Sequence, residues 1–209
     1  MLHLRCTTEQ AAAAWLPTVL ADFGRLLVDH AHCEHKASVT ALSFVSKYPD
    51  DPRLVLGLSE LARDEAGHLA QVAALCVKKG LALGHPDKDP YVLQLLSAAR
   101  TTPLESRVDR LLCCALIEAR SCERLQLLAE ALPARVGHDP LIDNEVVALY
   151  GALWREEAGH HLLFVELATR SLERSGHADA KATVAARLAV LAEHEAEVLR
   201  RIPVRAAVH

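Results

Sequence analysis

Apolar residues recur at helical spacing along four long stretches of the chain, and proline or glycine marks where each stretch must end. The first runs from about Pro17 to Lys47 and stops at YPDDP, whose prolines forbid continuation. The second covers about Pro52 to Lys79 and meets Gly80, a residue suited to the left-handed position after a helix. The third spans about Pro103 to Leu132, and the fourth about Leu141 to Ser175. Thr7 and Thr8, followed by Glu9 and Gln10, carry the cap signals of a short opening helix. A second short helix is expected at about Tyr91–Ala99, and an amphipathic fifth long one at about Ala178–Ile202, packed on the outside. Val and Ile show no strand-like alternation, and no Gly/Ser linker divides the pieces. These features predict an all-α chain: one domain over residues 1–209, a four-helix bundle with extra N-terminal and C-terminal helices.

Each long stretch carries an acid near its middle, where the apolar stripe should be unbroken. Glu34 shares a face with Leu27, Ala31, Ser38 and Ala41, and Glu118 with Leu111, Ala115, Cys122 and Leu125. The second and fourth stretches each carry Glu-x-x-His, within RDEAGH at 63–68 and REEAGH at 155–160. Glu65 and His68 fall on the stripe of Leu58, Leu61, Val72 and Leu75; Glu157 and His160 fall on that of Leu149, Leu153, Phe164 and Leu167. Burying four unpaired carboxylates costs several kcal/mol each, so positive charge must accompany them. Two divalent cations match four negative charges. One Glu from each of two helices, plus Glu-x-x-His from each of the other two, is the ligand set of ferritin-like di-iron carboxylate bundles. Mixed carboxylate and imidazole ligation suits iron or manganese better than zinc or copper.

Two positions stay open. His161 is also a helical neighbour of Glu157, although the match to the first motif favours His160. Glu123 competes with Glu118, since Cys-Glu at 122–123 echoes Cys-Glu at 33–34, whereas Glu118 holds the midpoint of the stripe. Asp64 and Glu156 should face solvent or sit just behind the ligands. Of His30, His32 and His35, one at most should orient Glu34. Gly67 and Gly159 suggest close helix approach beside the metals, because a mid-helix glycine costs about 1 kcal/mol. His85, His138 and His209, in loops or at the end of the sequence, carry no expected role.

Composition narrows the setting. The 209 residues are 51% hydrophobic but only 4% aromatic. No stretch reaches the ~18–20 uncharged apolar residues of a membrane span, and MLHLRCTTEQ lacks a signal-peptide core. A cytoplasmic protein is expected. The six Cys form no C-x-x-C pair and should be small buried residues in a reducing compartment. A formal charge of −4 does not advertise a nucleic-acid binder, and two divalent cations would bring it to about zero.

The stretches LVDHAHCEHKA, LSELARDEAGH, DRLLCCALIEARSCERL and LYGALWREEAGHH resemble those of the MiaE-type tRNA hydroxylases, and the similarity runs from about Leu4 to Arg200. That resemblance implies a ferritin-like fold and a non-haem centre of two iron ions held by Glu34, Glu65, His68, Glu118, Glu157 and His160. It also implies O2-dependent hydroxylation of the isopentenyl group of 2-methylthio-N6-isopentenyladenosine at tRNA position 37. The partners implied are tRNA, through its anticodon loop, and a separate electron-donor reductase. Arg25, Lys36, Arg107, Arg110, Arg120, Arg124 and the RRIPVR cluster at 200–205 are the candidate phosphate contacts. The competing possibilities are a ferritin- or rubrerythrin-like peroxidase or iron-handling protein with the same site, and a metal-free helical interaction protein.

Overall fold

Side-chain caps fix where the helices begin. A computed structural model of the chain describes residues 4–209, all of whose regular elements are helical. Thr7 and Gln10 close a capping box that opens α1 (Thr8–Ala12). The first long stretch is not one helix but two, α2 (Trp15–Ala21) and α3 (Phe23–Lys47). Asp22 breaks it: its carboxylate accepts the Arg25 N–H and starts α3 afresh. Asp51 caps α4 (Pro52–Lys78) in the same way, and Asp89 caps the short α5 (Pro90–Leu96). Beyond α4, Gly80 adopts φ +71°, which a side chain would strain.

The third stretch is α6 (Pro103–Ala131), continued by one 3-10 turn. The fourth is interrupted at its centre: α7 (Asn144–Glu156), a 3-10 turn at Glu157–Gly159, then α8 (His160–Arg174). The last helix is α9 (Ala180–Arg201). A short turn pairs α3 with α4 along their lengths, α6 packs on α7 and α8, and the long connection holding α5 links the two pairs. This is a four-helix arrangement with one crossover. The expected stripes are the buried faces of α3, α4 and α6.

Helix α6 is the hub, with apolar residues from Val108 to Leu128 buried on nearly every side. It carries Arg120 and Arg124, which the sequence offers as phosphate contacts. Both are buried instead, at 0% and 2% exposure, and so cannot meet RNA. Arg120 donates in a bidentate pair to Glu195 of α9 (2.9 and 3.1 Å) and to the Cys6 carbonyl (3.0 Å), and it also pairs with Glu123. Tyr91 of α5 donates to the same Glu195 at 3.0 Å. Arg124 lies over the Trp15 ring. A buried guanidinium stripped of its carboxylate is severely destabilising, by about 3–5 kcal/mol. Glu195→Ala should therefore lower the thermal midpoint by roughly 6–20 °C in a calorimetric scan. A shift under about 2 °C would mean that the pair does not hold α9 to α6.

Candidate metal centre

The interrupted helix decides which histidine joins the site. In a 3-10 turn, side chains three apart eclipse one another. The turn at Glu157–Gly159 therefore stacks His160 directly with Glu157, and Nδ1 of His160 lies 2.8 Å from Glu157 Oε2. His161 is also buried but belongs to neither of the two residue groups described next. The first motif achieves the same pairing within regular α4, where Glu65 and His68 share a face at i and i+3.

The six residues singled out in the sequence converge in two overlapping groups. Glu34, Glu65, His68 and Glu157 form one, and Glu65, Glu118, Glu157 and His160 the other, with one ligand atom from each residue within 4.8 Å of the rest. Glu65 and Glu157 belong to both. Glu65 Oε1 lies 2.8 Å from His160 Nδ1, and its Oε2 lies 3.7 Å from His68 Nδ1. Glu157 Oε1 lies 2.7 Å from His68 Nδ1. Each central carboxylate thus turns one oxygen toward each imidazole, while Glu34 and Glu118 occupy opposite ends. The His68 and His160 rings are nearly parallel, with centroids 6.1 Å apart.

Short distances here do not make hydrogen bonds. Among the described residues, Glu65 Oε1, Glu157 Oε1 and both histidine Nδ1 atoms are buried without a properly directed hydrogen-bond partner. In each group one ligand atom per residue lies within 4.8 Å of the others. That is what a pair of cations requires of its ligands, so the residues present fit two divalent metals.

Charge follows the same logic. Burial raises Glu34 well above the ordinary carboxylate range, reinforced by Glu157 and Glu65; burial likewise raises Glu118, reinforced by the same two acids. Burial also opposes the ionised form of Glu65, but contacts with His160 and His68 outweigh it and bring Glu65 down to about 2. Burial pulls both histidines down, yet Glu157 and Glu65 reverse it, pushing His68 up to about 10 and His160 up to about 11. Without metal, two imidazolium groups and two protonated carboxyls do the neutralising.

Supporting contacts hold these side chains in place. His68 Nε2 lies 3.0 Å from the half-exposed Glu156, which orients the ring as a partner behind a ligand should. His30 is the histidine that accompanies Glu34, with Nε2 2.6 Å from its Oε1 and Nδ1 3.1 Å from the Tyr150 hydroxyl. Burial lowers His30 to about 4, so it is neutral. His32 instead contacts the Leu83 carbonyl, and His35 is exposed. Glu123 is engaged elsewhere, accepting from the N–H and hydroxyl of Thr8 (both 2.7 Å). The two glycines do not serve close approach, because a Cβ at Gly67 or Gly159 would meet nothing within 4 Å. Nothing in the structure explains Gly67. All six cysteines are free, and only Cys33 is less than fully buried.

The acids form the inner wall of a cavity of ≈ 130 Å³ between α3 and α6, far above the ~10–15 Å³ that one water needs. Its other walls are mainly apolar, with Cys114, Ile117, Leu125 and Phe164 among them, and Lys36, Asp89, Ser121 and His209 supply polar groups. His209 and Asp89 carry no sequence signal for this role, since one looked like a stray terminal histidine and the other like part of a connection.

A helical bundle with paired Glu-x-x-His motifs and two further glutamates at one depth defines the ferritin-like carboxylate class, and the centre fits two metal ions. The solved structure of "Protein 43 with aldehyde deformylating oxygenase activity from Synechococcus" is similar to this chain, with a TM-score of 0.82 and 31% identity over 100% of this chain and 96% of that one. Residues 1–209 match the family described as tRNA-(MS[2]IO[6]A)-hydroxylase (MiaE), and the chain belongs to that family. It is 36% identical over 165 residues to the tRNA 2-(methylsulfanyl)-N(6)-isopentenyladenosine(37) hydroxylase of Pseudomonas putida, covering 79% of this chain and 74% of that protein. Identity to the protein of the same name from Salmonella typhimurium is 27% over 214 residues, with the same shares covered.

Two outcomes are expected in metal binding. Glu118→Gln should cut metal stoichiometry by elemental analysis, whereas Glu123→Gln should keep it and lose only stability; the reverse pattern would make Glu123 the ligand. Loading must also expel protons from His68, His160, Glu34 and Glu118, roughly four per two metals in a weakly buffered titration. Protons compete with the cations, so apparent affinity should rise with pH. For the metal-free protein the imidazolium contribution to stability is fully present below 6.5 and is lost as pH climbs through about 10 to 11. Loading without proton release would contradict the charge assignment.

Proposed function

We propose that this chain hydroxylates the isopentenyl group of 2-methylthio-N6-isopentenyladenosine at position 37 of tRNA, at a di-iron centre held by Glu34, Glu65, His68, Glu118, Glu157 and His160. The observation that carries this is the coincidence of two features: two overlapping ligand groups at the inner end of an apolar cavity, and a family match along the whole chain. The hydroxylase activity is the one the curated relatives are named for. The peroxidase and iron-handling alternative has no such support, and neither does the metal-free interaction protein.

In balance, one C–H bond of the substrate and O2 become a C–OH bond and water, with two electrons and two protons supplied from outside. When bound, the iron pair supplies the site at which O2 is reduced. The chain's own residues do the rest. Glu34 and Glu118 would each hold one metal, and Glu65 and Glu157, common to both groups, would serve both. His30, neutral and held by Tyr150, lies against the Glu34 carboxylate, with Nε2 2.6 Å from its Oε1. Ile117, Leu125 and Phe164 give the isopentenyl chain an apolar wall and exclude water from the reacting carbon.

The electrons come from a separate donor protein, as no flavin or iron–sulfur motif is present in the sequence. The anticodon loop would present base 37 unstacked to the cavity, with phosphates met by Lys36 at the cavity wall and by exposed Arg110 and Arg200. Arg107 is turned away to Asp51 and Tyr48, and Arg25 pairs with Asp87. A tRNA substrate places the work in the cytoplasm, and no helix among the described residues is long and apolar enough to cross a membrane.

Nucleoside analysis of tRNA from cells with and without the gene tests the substrate. Deletion should remove the hydroxylated nucleoside and let its methylthio-isopentenyl precursor accumulate. An unchanged profile would refute the assignment.

A further inference from the structure

The segment that follows α9 returns across the molecule and is fastened at the cavity. Residues 206–209 are buried, although no regular element contains them. Three side chains hold their backbone. Trp15 Nε1 donates to the Ala207 carbonyl at 2.8 Å, Arg124 to the Val208 carbonyl at 2.5 Å, and the Val208 N–H donates to Asp29 at 2.7 Å. These anchors come from α2, α6 and α3. Fixing a backbone residue costs ~1–2 kcal/mol of entropy, so a loose tail would not be ordered without them.

What the anchors present is His209. Its ring stacks on buried Tyr91, with centroids 5.0 Å apart and planes at 12°. Nε2 lies 2.8 Å from the Ser121 hydroxyl, and Nδ1 lies 3.5 Å from Asp89 Oδ2. Val208 and His209 line the same cavity as Glu34, Glu65, Glu118 and Glu157. Ser121 sits one helical turn beyond Glu118 on α6, so the polar cluster lies next to the reacting end without joining the acids. A cavity built for an apolar chain on a heteroaromatic base needs a few fixed polar or aromatic groups to set its orientation. Asp89, Ser121 and His209 form such a set, on a platform of stacked rings.

We propose that His209, held by Tyr91, Ser121 and Asp89, is a positioning residue that orients the modified adenine so that its isopentenyl chain reaches the metal side of the cavity. This rests on the hydroxylase function proposed above. A ring that only plugs the fold would stabilise the protein and do nothing else. A ring that orients substrate governs how strongly the modified base is preferred and how efficiently O2 consumption is coupled to product.

The test uses the 209-residue chain with His209→Ala or His209→Gln, loaded with iron, with metal content and thermal midpoint measured alongside. Two anticodon stem-loop RNAs serve as probes, one carrying 2-methylthio-N6-isopentenyladenosine and one carrying plain adenosine. Binding is measured without O2, and turnover is measured as product formed per O2 consumed. Wild type should prefer the modified RNA. H209A should keep its metal yet lose that preference by about tenfold, the scale of one base-stacking contact, and release less product per O2. H209Q, which can still reach Ser121, should recover part of both. If H209A only lowers the thermal midpoint, with preference and coupling at wild-type values, the proposal is overturned and the hydroxylase function stands. If wild type itself neither prefers nor hydroxylates the modified RNA, the functional assignment fails first and takes this one with it.

Discussion

Glu65 and Glu157 lie within 4.8 Å of each other and of both Glu34 on one side and Glu118 on the other, and all four are less than a tenth exposed. Four negative charges cannot persist together at buried positions, where Coulomb repulsion is only weakly screened. Protons can relieve part of it, through two protonated carboxyls and two imidazolium groups. Two divalent cations relieve it better, because they also satisfy lone pairs that no hydrogen bond reaches. The rest of the molecule is arranged so that this frustrated cluster is held rather than dispersed. Ser38 ties α3 to the Ala62 carbonyl of α4 close to the site, and the Arg120–Glu195 pair locks α9 over α6. Binding energy from the metals can then appear as stability of the whole bundle.

Much of this was legible in the chain because helices write their buried faces at a fixed period. The stripes of α3, α4 and α6 were readable, and each acid stood out as a polar residue on an apolar face. The break at Glu157–Gly159 was not, since a 3-10 turn and an α-helix both place i and i+3 together and REEAGH fits either. Asp22 likewise lies inside an apolar run, and only its cap bond to Arg25 shows that a new helix starts there. The misjudged residues share a cause. Arg120, Arg124 and His209 find partners in Glu195, Val208 and Ser121, 75 to 88 positions away, and local pattern carries no information about such pairings.

The family is named for a substrate carried on tRNA, and what surrounds the acids is the cavity wall. The cavity divides the labour. Apolar side chains of α6 and α8 line one part of it, whereas Lys36 of α3, Asp89 before α5, Ser121 of α6 and His209 of the final segment supply polar groups. A solved structure with 31% identity and a similar fold bears a name for aldehyde deformylating oxygenase activity, as expected where one fold carries different activities.

The most direct measurement is anomalous diffraction at the iron edge from crystals loaded with ferrous iron. The account predicts two peaks about 3.5–4 Å apart, one among Glu34, Glu65, His68 and Glu157 and the other among Glu65, Glu118, Glu157 and His160. A single peak, or peaks ligated by Glu123 or His161, would contradict it.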